Sequence, residues 1–255
     1  MTAARDRVER ERQFHDALIR EGHTTIATKE WWETPGGRVR FERRIALLKA
    51  VCTSLKAAIE RARVLVIGCG DGEWVNRISE FADVTGIDLS PLIVAQASSR
   101  LKDTAHARVE VGDVHELRFA MNTFDVCFAN SVLHHLDLPI ALPEVRRVLR
   151  PGGKLVAAEP NRSNPQVRWM YRSTKNRSRY GLTPDEEAFS RKSINVILRQ
   201  HFEDVSVSHF DFWHPLLGHK SDTSLLFRSV LALERLPLIK RISGSLWITA
   251  ERGLS

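Results

Sequence analysis

The sequence is poor in cysteine, and the few cysteines that it has are scattered. Cys52, Cys69 and Cys127 are the three among 255 residues, and no two of them form a C-x-x-C pair. An odd number of isolated cysteines argues against the disulfide framework of a small secreted domain. We therefore expect a protein of a reducing, cytoplasmic compartment.

The sequence also lacks a long apolar run. No stretch of about 18 uncharged apolar residues occurs, so no membrane-spanning helix is expected. Residues 1–20 are charged throughout and have no apolar centre, which argues against a secretory signal peptide. The chain does have 43% apolar residues, enough for the core of one large domain or of one domain with appendages.

Charge is distributed unevenly along the chain, whose formal net charge is +7. Residues 62–160 contain more acidic than basic side chains, whereas residues 1–61 and 161–255 are basic. Basic flanks are compatible with a nucleic acid, an acidic membrane surface, an anionic small substrate or a merely solvated face. Charge alone does not choose among these.

Short apolar runs alternate with helical patterns in the centre of the chain. Because the runs are continuous, the strands are buried on both faces, which predicts an α/β fold with a mostly parallel, doubly wound sheet. The predicted strands are 64–67, 84–87, 108–111, 126–129 and 154–158, with helices near 73–81, 91–102 and 139–149.

The flanks of this region have patterns of their own. Two amphipathic helices are predicted before it, over about 3–21 and 39–60, with a turn at Pro35-Gly36-Gly37. Residues 161–189 are polar, basic and rich in turn formers, so they interrupt the alternation. The remaining predicted elements are a helix at 191–201 and strands at 203–210 and 245–250.

Three glycines at alternate positions, Gly68, Gly70 and Gly72, follow the first apolar run. In an open parallel sheet, ligands bind beyond the carboxyl ends of the strands, and the first strand–loop–helix unit is the usual place. Glycine allows unusual dihedral angles and lets a ligand touch backbone. A tight turn that serves only helix–strand packing is the alternative, and the glycines alone leave both open.

Acidic residues at the ends of the next two runs favour a ligand. Asp88 ends the second run, about 20 residues after Gly68, where a carboxylate accepts hydrogen bonds from both hydroxyls of a ribose. Ser90 is placed to cap the following helix, which frees Asp88 for this task. Asp113 ends the third run, where it would accept a hydrogen bond from a purine amine, with Val114 against the ring. The order of these residues predicts a nucleoside-shaped ligand.

Two nucleotide-binding patterns are missing. No G-x-x-x-x-G-K-S/T motif occurs, so a P-loop is not expected. Glu73 stands where the third glycine of G-x-G-x-x-G would fall, and its carboxylate is unfavourable beside a pyrophosphate. A cationic sulfonium with an amino acid tail tolerates that carboxylate better.

In these residues the sequence resembles the class I S-adenosylmethionine-dependent methyltransferases, specifically the small-molecule group with a methyltransferase type 11 core. The resemblance covers about residues 64–158 and implies a Rossmann-like, seven-stranded sheet whose last strand, here 245–250, is antiparallel. One departure is Val66, where the family usually has Asp or Glu. The matching blocks are 64–72, 86–90, 112–114, 124–126, 131–136 and 148–155.

The resemblance implies S-adenosylmethionine as the cofactor and a division of the chain. Residues 1–61 would form an N-terminal helical lid, 62–160 the cofactor-binding core, and 161–255 an inserted cap with the rest of the sheet. The implied cofactor contacts are Gly68, Cys69, Gly70 and Gly72 around the methionine part, Asp88 at the ribose, Asp113 at the adenine amine, Leu89 and Val114 at the ring, and Asn130 near the reactive end.

A hydroxyl acceptor must lose a proton during methyl transfer, and His, Asp and Glu are the usual bases. His134 and His135 follow the fourth strand, where either is a candidate base or orients the acceptor, and a purely structural role is equally open. Glu159, at the end of the fifth strand, is a further candidate. No metal site is expected, because no clustered partner ligands are visible in the sequence.

Acceptor recognition is expected outside the core. Residues 162–181 combine arginines with aromatic residues, which suits a planar or acidic acceptor, and also RNA. A solvated basic loop is the plainer alternative. The candidate acceptor contacts are Trp31, Trp32, Arg168, Trp169, Tyr171, Arg172, Tyr180 and His214.

The sequence thus predicts an enzyme that methylates a small molecule, at a hydroxyl or carboxylate oxygen. RNA methylation is a rival because the flanks are basic, but Asn130 is followed by Ser-Val-Leu and not by the Pro-Pro-aromatic pattern of base-amine methylation, so a nucleic acid partner is not expected. A lipid or isoprenoid acceptor with peripheral membrane contact is a second rival, suggested by the Leu-rich residues 224–239. A cofactor-binding module without activity is a third.

Overall fold

The computed structural model describes residues 2–20, 34–55, 60–179, 182–183, 186–211, 234 and 236–254. These residues form one seven-stranded sheet. Its strands, in chain order, are β1 Ala62–Ile67, β2 Ala82–Asp88, β3 Ala107–Val111, β4 Phe124–Asn130, β5 Leu149–Pro160, β6 Val205–Phe210 and β7 Ser245–Glu251.

The order of the strands across the sheet is β3-β2-β1-β4-β5-β7-β6. The pairs among β1 to β5 are parallel, whereas β7 runs antiparallel to both β5 and β6. The predicted fold class and the antiparallel last strand are therefore confirmed. Residues 161–255 complete the sheet, because they supply β6 and β7.

Helices cover the sheet on both faces. Among the described residues, no helix is both long and apolar enough to cross a membrane. The helices are α1 Thr2–Arg20, α2 Pro35–Leu55, α3 Glu73–Ser79, α4 Pro91–Leu101, α5 Leu138–Val148, α6 Pro165–Met170, α7 Thr174–Arg179, α8 Arg191–Leu198 and α9 Pro237–Lys240.

Strand β1 illustrates why the sheet is covered on both sides. Leu65 and Ile67 pack into one hydrophobic cluster with residues of α5 and α8, whereas Val64 and Val66 pack into a second cluster with residues of α2 and α3. All four side chains are at most 2% exposed. Burial of such side chains contributes about 1.5–3 kcal/mol each, so an unbroken apolar run is stable only in this two-sided arrangement.

The start of α2 differs from the sequence prediction. The turn expected at Pro35-Gly36-Gly37 is wrong, because these residues form the first turn of the helix. Proline suits the first helical position, where its missing N–H leaves no bond unmade. The hydroxyl of Thr34 accepts a hydrogen bond from the Gly37 N–H at 3.0 Å, as an N-terminal cap does.

The position of the crevice follows from the strand order. The chain continues from β1 to β2 on one side of the sheet and later returns to place β4 on the other side of β1. The loops that leave β1 and β4 therefore diverge at the carboxyl ends of the strands, where ligands of such sheets bind.

Candidate active site

The glycine loop after β1 combines two tight turns with one open position. Gly68 has φ +66, and a Cβ built on it would lie 2.6 Å from a methyl group of Val132, so this glycine is required by packing. Gly72 also has a positive φ and lies against α4. Gly70 has φ +53, but no described atom lies within 4 Å of the place where its Cβ would be. The loop therefore presents bare backbone at Gly70, as a cradle for a ligand requires.

Asp88 ends β2 beside this loop. Its carboxylate accepts hydrogen bonds from the Gly70 N–H and the Ser90 N–H, each at 3.2 Å. Ser90 caps α4 through its hydroxyl, which accepts a bond from the Ile93 N–H, as predicted. Burial raises the pKa of Asp88 above its ordinary value, although the Ser90 and Gly70 N–H groups and nearby His15 oppose this. Asp88 thus joins the loop to the start of the next helix at the edge of the crevice.

Asp113 and Val114 lie at the carboxyl end of β3. The Asp113 Oδ1 accepts a bond from the His115 N–H at 2.9 Å and lies 2.6 Å from the His115 Nδ1. Burial opposes ionisation, but the bonds to His115 outweigh it and lower the pKa of Asp113. Val114 is buried and Leu89 half-buried. The other Asp113 oxygen has no hydrogen bond to a described residue, so it can accept one from a ligand.

Asn130 ends β4 and is held by a buried arginine that sequence reasoning missed. The Asn130 Oδ1 accepts a short hydrogen bond from Arg44 of α2. Arg44 also donates to the Asp211 Oδ2 at 2.7 and 3.0 Å and to the Ser245 hydroxyl at 2.8 Å. Burial lowers the pKa of Arg44 to about 10, although Asp211 opposes this. This ion pair therefore joins α2 to the carboxyl ends of β4 and β6.

The position in β1 where the family that the sequence resembles usually has an acidic residue is apolar here. Val66 is 2% exposed and belongs to the apolar core. Asp71 forms an ion pair with Arg100 at 3.0 Å, and Glu73 approaches the same guanidinium at 3.4 Å. Cys69 is buried, and burial raises the pKa of its thiol, so it lines the loop as a neutral, apolar side chain.

Glu159 is fully buried and supports the loop after β4. One oxygen accepts bonds from the Val132 N–H at 3.0 Å and the Leu133 N–H at 2.9 Å. The other lies 2.6 Å from the His134 Nδ1. With both oxygens engaged, Glu159 has a geometry that favours a positioning role over the predicted role of base. Such buried carboxylates fix the orientation of a histidine ring.

His135 is the more accessible of the two histidines and is also held by a carboxylate. Its Nδ1 lies 3.2 Å from the Glu11 Oε2 and 3.5 Å from the Glu186 Oε1. Burial opposes its charged form, but Glu11, Glu186 and Glu159 more than offset this and raise the pKa of His135. The His135 Nε2 makes no hydrogen bond to a described residue. We name Glu11, His15, His134, His135 and Glu186 the His–Glu cluster.

Helix α1 contributes two members of this cluster. Glu11 and His15 are four residues apart and therefore share one helix face. Asp16 accepts a short hydrogen bond from the Ser90 hydroxyl, which docks the helix against the start of α4. Burial, with neighbouring His135, lowers the pKa of His15. Sequence reasoning missed this face because it searched for apolar periodicity, and the only signal was titratable residues at i and i+4.

The predicted acceptor contacts separate into three groups. Arg168, Trp169 and Arg172 are exposed on and after α6. Tyr171 points inward, where its hydroxyl is buried, and burial with nearby Glu186 raises its pKa. The remaining candidates, Trp31, Trp32, Tyr180 and His214, lie outside the described residues.

Comparison with known proteins agrees with this geometry. Residues 65–157 match the family model described as a methyltransferase domain. This segment is a methyltransferase domain.

An uncharacterised 37.1 kDa protein in transposon TN4556 of Streptomyces fradiae is 40% identical over 102 residues, which are 38% of this chain and 30% of that protein. A demethylmenaquinone methyltransferase of Staphylococcus aureus is 31% identical over 115 residues, 43% of this chain. The chain matches 48% of that protein, less than two thirds of its length.

Solved structures share the fold of this methyltransferase domain at low identity. A Thermotoga maritima protein described as a possible histamine N-methyltransferase superposes with TM-score 0.60 at 18% identity, over 94% of this chain and 99% of its own. The 4+2 cyclase SpnF gives 0.63 at 20% identity, over 97% of each chain. Phosphoethanolamine N-methyltransferase 2 of Haemonchus contortus, solved with S-adenosylhomocysteine, gives 0.63 at 22% identity, over 94% of this chain and 60% of its own. One fold therefore serves different activities, and only the site distinguishes them.

Proposed function

We propose that the protein transfers a methyl group from S-adenosylmethionine to an oxygen of a small-molecule acceptor. The observation that carries the proposal is Asp88, a carboxylate at the end of β2 that accepts the Gly70 N–H beside the open backbone of the glycine loop. A carboxylate at this strand end is the ordinary partner of ribose hydroxyls. The methyltransferase domain at residues 65–157 supports the same conclusion.

The residues around the crevice fit the cofactor. Gly70 leaves space against its backbone for the methionine part. Asp88 would accept bonds from the ribose, and the unengaged oxygen of Asp113 would accept one from the adenine amine. Val114 and Leu89 would flank the ring. When bound, S-adenosylmethionine supplies an electrophilic methyl group on a sulfonium.

The chain's own contribution to the reaction is alignment and removal of a proton. Asn130 is fixed by Arg44 at the end of β4, next to the loop that carries His134 and His135. The acceptor would bind between this strand end and the His–Glu cluster. His135 has its Nδ1 turned to Glu11, so its Nε2 is available to an acceptor hydroxyl. Burial keeps water from the reacting atoms and favours a fixed geometry.

A lipid or isoprenoid acceptor is the second candidate. Demethylmenaquinone methyltransferases are among the relatives at 31% identity. Near β7, Leu236 and Leu238 are 49% and 76% exposed, and Lys240 and Arg241 are exposed beside them. Such a mixture of apolar and basic side chains suits a membrane surface rich in anionic lipids.

Calorimetry with S-adenosylhomocysteine tests the cofactor assignment. Asp88→Ala removes the bonds to both ribose hydroxyls, each about 1.5–3 kcal/mol, so we expect affinity to fall at least about 100-fold. Asp83→Ala is the matched control, because Asp83 lies at the opposite end of the same strand, and its affinity should be unchanged. Equal affinity in the two variants would contradict the assignment.

Transfer of a labelled methyl group identifies the acceptor class. The panel should contain hydroxylated and carboxylated small molecules, a demethylated isoprenoid quinol in detergent, and tRNA. We expect label in an oxygen-methylated small molecule. Label in the quinol would select the second candidate, and label in tRNA would overturn both.

A further inference from the structure

The His–Glu cluster contains more buried acid than the orientation of one histidine requires. Glu11 is 4% and Glu186 1% exposed, and the fully buried Glu159 lies behind them. Buried carboxylates are costly unless a cation or several hydrogen-bond donors face them. Two groups of three residues meet the distance requirement for one bound metal ion, Glu11 with His15 and His135, and His134 with His135 and Glu186.

Polar atoms without partners converge on this cluster. The Glu186 Oε2 is buried and makes no hydrogen bond to any described residue. The same holds for the His15 Nδ1 and, close by, the Tyr171 hydroxyl. A buried acceptor without a partner costs about 1–3 kcal/mol, so such atoms point to a missing ligand.

The His135 Nδ1 is within hydrogen-bond distance of the Glu11 Oε2 at 3.2 Å, but the other separations within the cluster suit metal ligands better than hydrogen bonds. The His134 Nε2 lies 3.6 Å from the Glu186 Oε2, and the His135 Nδ1 lies 3.5 Å from the Glu186 Oε1. The His15 Nε2 lies 3.8 Å from the Glu11 Oε2. These distances are long for hydrogen bonds. Two ligands bound at about 2.0–2.2 Å to one tetrahedral ion are about 3.3–3.5 Å apart, close to the observed values.

Hydrogen bonds from neighbouring residues orient the side chains of the cluster, as the outer contacts of metal sites orient the metal ligands. Glu159 holds the His134 Nδ1 at 2.6 Å and leaves the Nε2 directed at Glu186. Thr183 donates its hydroxyl to the Glu11 Oε1 and its N–H to the Glu186 Oε1, both at 2.6 Å. One residue thus fixes both carboxylates and leaves the Oε2 atom of each for the cluster. Carboxylate–histidine pairs of this kind are typical behind metal ligands.

We propose that the His–Glu cluster binds one first-row divalent cation through His134, His135 and Glu186. Imidazole and carboxylate ligands without thiolate suit zinc, cobalt, manganese or iron(II). The cation would join the loop after β4 to the segment around Glu186, while Glu11 of α1 contacts His135 from outside the ligand set. Sequence spacing gives no hint of this site, since its ligands come from two distant segments.

The site would also bear on the proposed function. On the assumption that the acceptor binds beside this cluster, a cation there lowers the pKa of an acceptor hydroxyl that it contacts. With the ion bound, His135 would be a ligand and not the base, and the ion would compete with a proton for its ring. Metal binding itself requires neither the cofactor nor the acceptor, so it can be tested alone.

Cobalt(II) titration of the full chain, stripped of metal with EDTA, tests the proposal. We expect visible absorption of a four- or five-coordinate cobalt centre that saturates at one equivalent and is displaced by zinc. Glu186→Gln should weaken cobalt binding at least about 100-fold, beyond the 10–100-fold typical of an outer contact. Glu187→Gln is the matched control, because the adjacent Glu187 is exposed, and it should bind cobalt as the unaltered protein does.

A second variant keeps the test decisive if Glu186→Gln does not fold, as judged by circular dichroism. Glu11→Gln alters only the contact of Glu11 with His135 and should weaken cobalt binding about tenfold. Absence of the cobalt spectrum, or equal binding by the Glu186 and Glu187 variants, would overturn the metal site. Neither result touches the proposed methyl transfer, which S-adenosylhomocysteine calorimetry tests separately.

Discussion

On the β1–β3 side of the crevice, which we name the cofactor side, the two acidic cofactor candidates lie at strand ends, and their partners are at most 18 residues away in sequence. Asp88 accepts N–H groups from Gly70 and Ser90, and Asp113 binds His115. On the other side, which we name the α1 side although α2 also belongs to it, the groups that face one another are far apart in sequence. Glu11 of α1 approaches His135, and Arg44 of α2 binds Asp211.

This difference distinguishes the residues whose positions the fold determines from those whose positions can vary among proteins of the same fold. A parallel sheet fixes the strand ends, so the cofactor side is built wherever the fold forms. The α1 side depends on how a helix and the segment around Glu186 dock on that sheet. Proteins of one fold can therefore have different activities, as the names of the structural relatives illustrate.

The largest expected effect tests whether the α1 side stabilises the fold in addition to its proposed role in function. Arg44→Met leaves the buried Asp211 without its closest cation, while Arg40 and Arg43 remain at 3.3 and 3.6 Å. Removal of one partner of a buried ion pair costs about 3–5 kcal/mol, and because these two cations remain we expect the lower end, about 3 kcal/mol. We expect the free energy of unfolding, measured by urea denaturation, to fall by about that amount. Glu42→Gln is the control on the same helix, because the exposed Arg77–Glu42 pair should contribute about 1 kcal/mol or less. Equal losses in the two variants would show that the buried pair has no special weight.

A smaller effect separates the two roles of glycine on the cofactor side. Gly68 and Gly70 share a positive φ, so alanine costs each about 1–2 kcal/mol of stability. Gly68→Ala should cost more than Gly70→Ala in urea denaturation, because its Cβ would lie 2.6 Å from Val132. The Gly70 variant should lose mainly affinity for S-adenosylhomocysteine in calorimetry. Equal stability of the two variants would contradict the conclusion that packing requires Gly68 whereas Gly70 leaves space for a ligand.

Much of the fold and of the cofactor side could be predicted from the sequence, for a physical reason. A two-sided parallel sheet requires continuous apolar runs, and the residue after each run has a known place at the carboxyl edge. Asp88 and the Ser90 cap could therefore be located from spacing alone. The roles of these residues towards the cofactor stay predictions.

The α1 side could not be predicted because nothing local marks it. Glu11 and Glu186 look like surface acids in the sequence, yet both are buried once the helix and the segment around Glu186 dock. Arg168 and Arg172, whose composition suggested an acidic acceptor, lie exposed, and their role stays a prediction. Burial of a charged residue is a tertiary property, and a single sequence carries little signal for it.

The smallest expected effect concerns the charge of Asp113, on the cofactor side. Contact with His115 lowers the pKa of Asp113, so its ionised form is stabilised by folding. That stabilisation is fully present above the unfolded-state pKa of about 3.9 and is lost as the pH falls through the lower folded-state value. Asp113→Asn should therefore be less stable than the unaltered protein at pH 7, by about 1 kcal/mol or less because the carboxylate is partly solvated.

Urea denaturation at a series of pH values from 7 to about 3.5 measures this difference, which should narrow as the carboxylate of the unaltered protein becomes protonated. Asp103→Asn is the control, because the Asp103 side chain is 88% exposed and lies 4.0 Å from its nearest cation. The difference in the free energy of unfolding between Asp103→Asn and the unaltered protein should be small at every pH. A pH-independent difference for Asp113→Asn would mean that the side chain acts through neutral hydrogen bonds, and the cofactor side would then depend less on charge than the α1 side does.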